Sequence, residues 1–334
     1  MLQKVILNLL ILIALFGCST SNTQSAPPPV VSYQQEDYSK RVAKKGWAHI
    51  LALLVKEGVD KKWAEEALVS SQMPEADMLT FNLNPQEKHS LYKGINTEIK
   101  RKNAFDFYLQ HKDAFKSARE IYGVPEGVVL AILQVETACG KNTGNKNIFP
   151  AIARLANAGN PEIIRENLKK NPPSLEKAVY HRAAYLETTF LPHLVATFII
   201  APSGDVHSLK GSFAGAVGLP QFMPDNILKF GVDADKDGQI NLYDADDSIL
   251  STANYLKKHG WTSFELSNAK KRAVIWEYNH STPYIDTVLA MAGQLQKMIE
   301  GKTSSSIKKK NKVSNVSSKK SSRVPSRPAK KLRN

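Results

Sequence analysis

The 334-residue chain has two cysteines, Cys18 and Cys139. So few thiols exclude a disulfide-framed fold and any zinc site built on paired cysteines. No His-Glu-x-x-His run is present, no Gly-rich phosphate loop opens a helix, and no Ser-centred nucleophile elbow occurs. Nothing therefore points to zinc, nucleotide or organic-cofactor chemistry. Alternating strand patterns are few, which argues for a mainly α fold with small β elements. Between Gly301 and Asn334 there is no acidic residue, against twelve Lys or Arg. The net charge is +14, so residues 1–300 carry only +2 of it. With the body nearly neutral, nothing suggests a nucleic-acid-binding core.

A bilayer-spanning apolar run is also missing near the N-terminus. Val5 to Phe16 is too short, and Asn8 interrupts it. Lys4 precedes it, and Leu15-Phe-Gly-Cys18 follows. This arrangement resembles a lipobox, the cleavage and acylation signal of bacterial lipoproteins. The alternative is an uncleaved anchor helix with an incidental cysteine. On the lipobox reading, residues 1–17 are a signal peptide and lipidated Cys18 tethers the protein to a membrane, facing the periplasm. Ser19, with no Asp after the cysteine, leans towards the outer membrane. Cys139 is then a lone thiol without a recognisable activating base, better suited to packing than to catalysis.

Residues 18–37 are rich in Ser, Thr, Gln and Pro and read as a linker. Helical spacing begins at Tyr38 and supports a folded domain over 38–300. Trp47 to Val55, Lys61 to Ser71, Asn103 to Tyr122, residues 175–201, Val274 to Tyr278 and Tyr284 to Ile299 form its helical segments. The 301–334 stretch is too polar to bury a core and is expected to be disordered. It is either a solvated tail or a polyelectrolyte for anionic lipid or acidic wall polymer.

Three stretches carry chemistry. In the first, Pro125 suits a helix start and Gly140 a helix end. Val129, Ile132 and Leu133 lie seven, four and three residues before Glu136, which puts that carboxyl on the apolar stripe. It also falls in the last turn, where the helix dipole disfavours negative charge. Burial and dipole both raise a carboxyl pKa, as a general acid requires. A surface glutamate at a frayed helix end is the other reading.

The second stretch runs from Asp233 to Asp244. Oxygen ligands fall at positions 1, 3 and 5 (Asp233, Asp235, Asp237), a glycine at 6, the Gln239 carbonyl at 7, Asn241 at 9 and Asp244 at 12. This is EF-hand spacing for a hard cation such as Ca²⁺, with Asp replacing the usual Glu at 12. A structural brace is expected rather than a sensor; an acidic turn without metal is the alternative. The third stretch, Gly211 to Pro224, has three glycines and two prolines, which dictate an irregular backbone. Its Ser212 and Gln221 suit sugar hydroxyls or N-acetyl groups, although a packed turn would read the same. Trp276-Glu-Tyr-Asn279 and Tyr284 add aromatic and amide groups, which also fit a core helix end.

Together these motifs resemble the lytic murein transglycosylase B family. The resemblance runs from about Ala104 to Leu295 through Tyr122-Gly-Val-Pro125, Val135-Glu-Thr137, Gly211 to Pro224, Asp233 to Asp244, Ala253-Asn-Tyr-Leu256, Gly260-Trp261 and Tyr278-Asn279. It implies a lysozyme-like core with an added helical subdomain and a metal loop. It implies cleavage of the MurNAc–GlcNAc bond of peptidoglycan with 1,6-anhydro ends. It implies Glu136 as the acid/base, a saccharide groove of Ser212, Gln221, Tyr255, Tyr278, Asn279 and Tyr284, and a cation on Asp233, Asp235, Asp237, Gln239 and Asp244. Two stretches depart from the family pattern: Ala138-Cys139 after Glu-Thr, and Phe149-Pro150, which is expected to interrupt a helix start. A hydrolysing muramidase and a non-catalytic wall-binding lipoprotein are the rival functions. The first needs a second carboxylate for its water, and none stands out near the motif helix.

Overall fold

The computed structural model describes residues 37–320, with side chains to Gly301. Cys18, the signal peptide, the linker up to residue 36 and the tail beyond Lys320 lie outside the described residues. Helices α1 (Tyr38–Lys44), α2 (Ala48–Lys56) and α3 (Lys61–Val69) form the first cluster. Then come α4 (Glu98–Gln110), α5 (Lys112–Tyr122) and α6 (Glu126–Thr137). Strand β1 (Lys146–Asn147) leads into α7 (Ile148–Ala156), α8 (Pro161–Lys170) and α9 (Glu176–Ile200). Strand β2 (Lys210–Gly211) precedes α10 (Pro224–Phe230), α11 (Ala245–Lys258), α12 (Asn268–Tyr278) and α13 (Thr282–Lys320).

The fold is mainly helical. β1 and β2 pair antiparallel, Lys146 opposite Gly211, and Val217 bridges Phe222. α6 is the central element. From Glu126 to Gln134 every residue is buried, as expected of a helix that is apolar all round. α13 packs along it and comes closest at Gly127, where a Cβ would sit 2.7 Å from the Ala292 carbonyl oxygen. Gly127 is thus a steric requirement of the α6–α13 crossing. α5 packs on α11, and α9 packs on α7 and α10.

The N-terminal helices share this core through Trp47, Ile50, Leu54 and Leu68, with Leu194 and Phe198 of α9. Trp63 meets Phe198 edge to face at 5.0 Å, and its indole N–H donates to the Gly204 carbonyl. A satellite cluster joins Leu79 and Phe81 to Ile163, Val179 and Leu186. Buried Asn167 ties it down, accepting from the Phe81 N–H and donating to the Leu79 and Ile163 carbonyls. That satisfies a polar group which would otherwise be costly to bury.

Three expectations need correction. The Asn103–Tyr122 segment is two helices broken at His111, not one. Pro150 does not interrupt a helix: it is the third residue of α7, within the first turn, where a missing N–H costs nothing. Its neighbour Phe149 is fully buried against Phe198 and His207. Finally, the helix opened at Thr282 continues to Lys320, through the first part of the basic stretch read as disordered.

Candidate active site

Glu136 lies in the last turn of α6. The residue is half-buried, and its carboxyl is closely surrounded by protein. The Tyr284 hydroxyl donates to its Oε1 at 2.6 Å. Burial pushes its pKa up from 4.5 to about 7; the Tyr284 hydrogen bond pulls the other way, and the negative charge of Glu87 adds to the rise. Desolvation wins because a single neutral donor cannot replace bulk water around a carboxylate. The carboxyl is therefore poised to hold or release a proton near neutral pH.

The helix ends differently from the expectation that Gly140 terminates it. Ala138 and Cys139 already adopt left-handed backbone, with φ of 53° and 55°. The Ala138 N–H donates to the Gln134 carbonyl and the Cys139 N–H to the Leu133 carbonyl, which closes the last turn. Left-handed conformation costs a non-glycine residue about 1 kcal/mol or more, and it is spent immediately beside Glu136. Cys139 is a packed thiol, as expected. Burial pushes its pKa up to about 12 and its Sγ contacts the Gln134 amide oxygen at 3.5 Å, so no thiolate is available near neutral pH.

Three segments converge on Glu136. From α13, Tyr284 is 1 % exposed and presents only its hydroxyl to the carboxyl. From the end of α12, Tyr278 lies parallel to Tyr284 at 6.4 Å and anchors its hydroxyl on the Pro220 carbonyl at 2.6 Å. From the turn before α4, Tyr92 meets the Tyr284 ring edge to face at 6.1 Å. Burial raises the pKa of all three phenols, so they remain neutral donors. Sequence reading missed Tyr92 and Glu87. They lie more than forty residues upstream in a polar segment without periodicity, so no local signal marks them.

The other expected groove residues are distributed unevenly. Asn279 caps the end of α12 and is half-buried. Tyr255 is buried behind Tyr278, ring to ring at 4.9 Å, with its hydroxyl on the Glu277 carbonyl. It supports the aromatic wall rather than forming its face. The Gly-rich segment folds back on itself: the Ala216 N–H donates to Ser212 Oγ, and the Ser212 N–H donates to the Ala216 carbonyl. Gln221, with φ of 53°, gives its side-chain N–H groups to the Thr143 and Gly218 carbonyls. Its amide nitrogen thus braces the loop, which leaves the amide oxygen for any ligand.

The acidic loop is joined to this site by hydrogen bonds. The Leu219 N–H donates to the Leu242 carbonyl, and Thr137 Oγ1 donates to the Leu219 carbonyl at 2.9 Å. Thr137 follows Glu136 directly. A Cβ at Gly218 would fall 2.2 Å from the Leu242 oxygen, so the two loops meet backbone to backbone. Asp233, Asp235 and Asp237 bring carboxylate oxygens within 4.8 Å of one another. Three hard, like-charged donors this close fit a hard divalent cation, which would relieve their repulsion. Asp244 is outside that cluster. Its side chain accepts the Asp246 and Asp247 N–H groups and caps α11. Asp247, not singled out from the sequence, is buried and accepts the Ala234 and Asn241 N–H groups, holding the loop closed from behind.

A family model described as the transglycosylase SLT domain matches residues 43–270. The membrane-bound lytic murein transglycosylase B of Escherichia coli K12 is 36% identical over 162 residues, 48% of this chain. The match spans only 38% of that relative's length. The Escherichia coli lytic transglycosylase Slt35, solved in complex with calcium, superposes with a TM-score of 0.54 at 25% identity, covering 78% of this chain and 93% of that one. SltB3 of Pseudomonas aeruginosa superposes with a TM-score of 0.55 at 18% identity, covering 78% and 80%.

Proposed function

Because the chain belongs to the transglycosylase SLT family, we propose that it is a lytic transglycosylase of peptidoglycan in which Glu136 serves as both acid and base. The observation that carries this reading is the Glu136 carboxyl closely surrounded by protein and bonded to the neutral Tyr284 phenol, with its pKa raised by burial to about 7 and, among the described residues, no cation acting on it. Such a group is protonated in a useful fraction at neutral pH and accepts a proton readily once it has given one away.

The reaction needs both states in turn. Protonated Glu136 donates to the glycosidic oxygen between N-acetylmuramic acid and N-acetylglucosamine, and the bond to the anomeric carbon breaks. The substrate's own 2-acetamido group stabilises the positive charge, which removes the need for a carboxylate nucleophile. Glu136, now ionised, removes the proton from the C6 hydroxyl of the muramyl residue. That oxygen closes on the anomeric carbon and gives the 1,6-anhydro end, with no water consumed. Tyr284 keeps the carboxyl oriented between the two transfers. SltB3 was solved with NAG-anhNAM-pentapeptide, a ligand of the chemistry proposed here.

Ser212, the Gln221 amide oxygen, Tyr278 and Asn279 are the groups offered to the saccharide, with Tyr255 supporting them. Asp233, Asp235 and Asp237 with the Gln239 carbonyl would hold a structural Ca²⁺, while Asp244 contributes through the helix it caps. When bound, the cation would supply charge neutralisation to a loop that reaches Thr137 through Leu242 and Leu219. Lipidated Cys18 would tether the protein at the outer membrane facing the periplasm, in keeping with a relative named as membrane-bound. The basic stretch after Gly301 would hold anionic lipid or wall polymer.

Glu87 gives the hydrolysing muramidase a specific argument, since it is a second carboxylate acting on Glu136. Mass spectrometry of fragments released from purified sacculi separates the two reactions, because the anhydro product is one water lighter. The expected result is anhydro-muropeptides from the wild type and a roughly 10²–10⁴-fold loss in Glu136→Gln. Reducing-end muropeptides as the main product would transfer the site to hydrolysis.

A further inference from the structure

Glu87 lies just before the turn that carries Tyr92 and is exposed. Its Oε2 accepts the Tyr92 hydroxyl at 2.7 Å. That bond commits the single phenolic proton of Tyr92 outward, so the oxygen faces its other neighbours only as an acceptor. Ser281, buried at the start of α13, is one of those neighbours and pulls the phenol's pKa down against the burial-driven rise. Ser281 Oγ in turn accepts the Tyr284 N–H at 3.3 Å. The Tyr92 ring stands edge-on to the Tyr284 ring, and the Tyr284 hydroxyl holds Glu136. A continuous set of contacts therefore runs from a rim carboxylate to the reacting one.

We propose that Glu87 is a positioning residue for the reaction: it fixes Tyr92, and through Tyr92 and Ser281 it fixes the Tyr284 side chain that orients Glu136. This rests on the lytic transglycosylase reading of the site. The charge of Glu87 has a second consequence. The groups that face Glu136 are Tyr284 from α13, Tyr278 from α12, Tyr92 from the preceding turn, and Glu87 beyond it. Three are neutral phenols, and among the described residues no cation acts on the carboxyl. Glu87 is thus the one charge among the described residues that adds to the burial-driven rise at Glu136, and it does so from a position that needs no contact with the reacting atoms.

Glu87→Gln separates the two roles, since its amide oxygen still accepts from Tyr92 while the charge is gone. The ionisation of Glu136 is followed by carboxyl ¹³C NMR on full-length protein, with the resonance assigned by Glu136→Gln, and the pH profile of anhydro-muropeptide release is measured in parallel. Removing a nearby negative charge lowers the Glu136 midpoint by about 0.5 and lowers activity about threefold on the alkaline limb. Tyr92→Phe keeps the charge but breaks the tie; it is expected to lower kcat across the whole pH range without moving the midpoint downward. A Tyr92→Phe protein with wild-type kcat across the pH range overturns the positioning role, and a Glu87→Gln midpoint that superimposes on the wild type overturns the charge effect. Should the midpoint move in a protein that releases no anhydro product, the transglycosylase reading falls and the link between the two carboxylates stands.

Discussion

The end of α6 and the loop before α11 treat the same functional group in opposite ways. At Glu136 one carboxyl is closely surrounded, has a single phenolic donor, and ionises only near pH 7. In the loop, Asp233, Asp235 and Asp237 cluster in partly or fully exposed positions. There the Asp237 and Gly238 amides donate to Asp233, and the Gln239 amide donates to Asp237. Water and backbone N–H groups favour carboxylates; a phenol within packed protein does not supply enough to do so. The comparison shows how neighbouring parts of one fold place the same group in two environments, one buried carboxyl bonded to a phenol and three carboxylates gathered within 4.8 Å of one another. It also shows why the two are mechanically related, since Leu219 bonds to both.

The largest test of that contrast is Glu136→Gln. Beyond its loss of activity, it reports on the cost of burying the charge. The folded pKa of about 7 lies above the unfolded value of 4.5, so ionisation of the wild type penalises folding progressively from about pH 4.5 to pH 7. Above pH 7 the penalty is complete, at most about 3 kcal/mol. The variant is therefore expected to be more stable than wild type at pH 8 and equally stable at pH 4 in denaturant titrations. Equal stability at both values would mean that Glu136 ionises as freely as it does in the unfolded chain.

The second test moves to the loop. Asp247→Ala leaves the Ala234 and Asn241 amides without their acceptor and is expected to destabilise by about 2 kcal/mol, lowering both Tm and calcium-dependent protection. A third, smaller effect concerns the cation itself. Calcium at about 10 times its Kd should stabilise the wild type by about 1.4 kcal/mol, reversed by chelator and absent in Asp237→Ala. A chelator that changes neither Tm nor activity would remove the cation from the account but leave Glu136 untouched.

Much of this contrast was readable in advance, because it is local. Glu136 sits at fixed helical offsets from Val129, Ile132 and Leu133, and the loop aspartates alternate at fixed spacing; both patterns are carried by a dozen residues or fewer. What could not be read depends on contacts between distant segments. Glu87 and Tyr92 come to the site from some fifty residues upstream. Asp247 reads as a helix residue, and only the folded loop shows the two amides it accepts. Which end of the Gln221 amide is left for a ligand shows only in the fold, where its nitrogen is bonded to two carbonyls and its oxygen is not. Pro150 reads as a break because its position within the turn depends on where α7 begins, and that is set by the Asn147 cap.

The smallest effect probes the strained end of α6. Ala138→Gly relieves a left-handed φ of 53° and is expected to stabilise by up to about 1 kcal/mol, read as a modest rise in Tm. If the strain helps to aim the Glu136 carboxyl, the same substitution lowers kcat while it raises Tm. A variant that is less stable than wild type would show that Ala138 contributes packing that outweighs its backbone cost.

The central claim is that protein surroundings, not a second charged partner, hold a proton on Glu136 near neutral pH. Its most direct measurement is the ionisation of that one carboxyl in the wild-type protein, followed by carboxyl ¹³C NMR across pH 3–9. A midpoint near 7 is the predicted result. A midpoint near 4.5, the value of a freely solvated glutamate, would contradict the account.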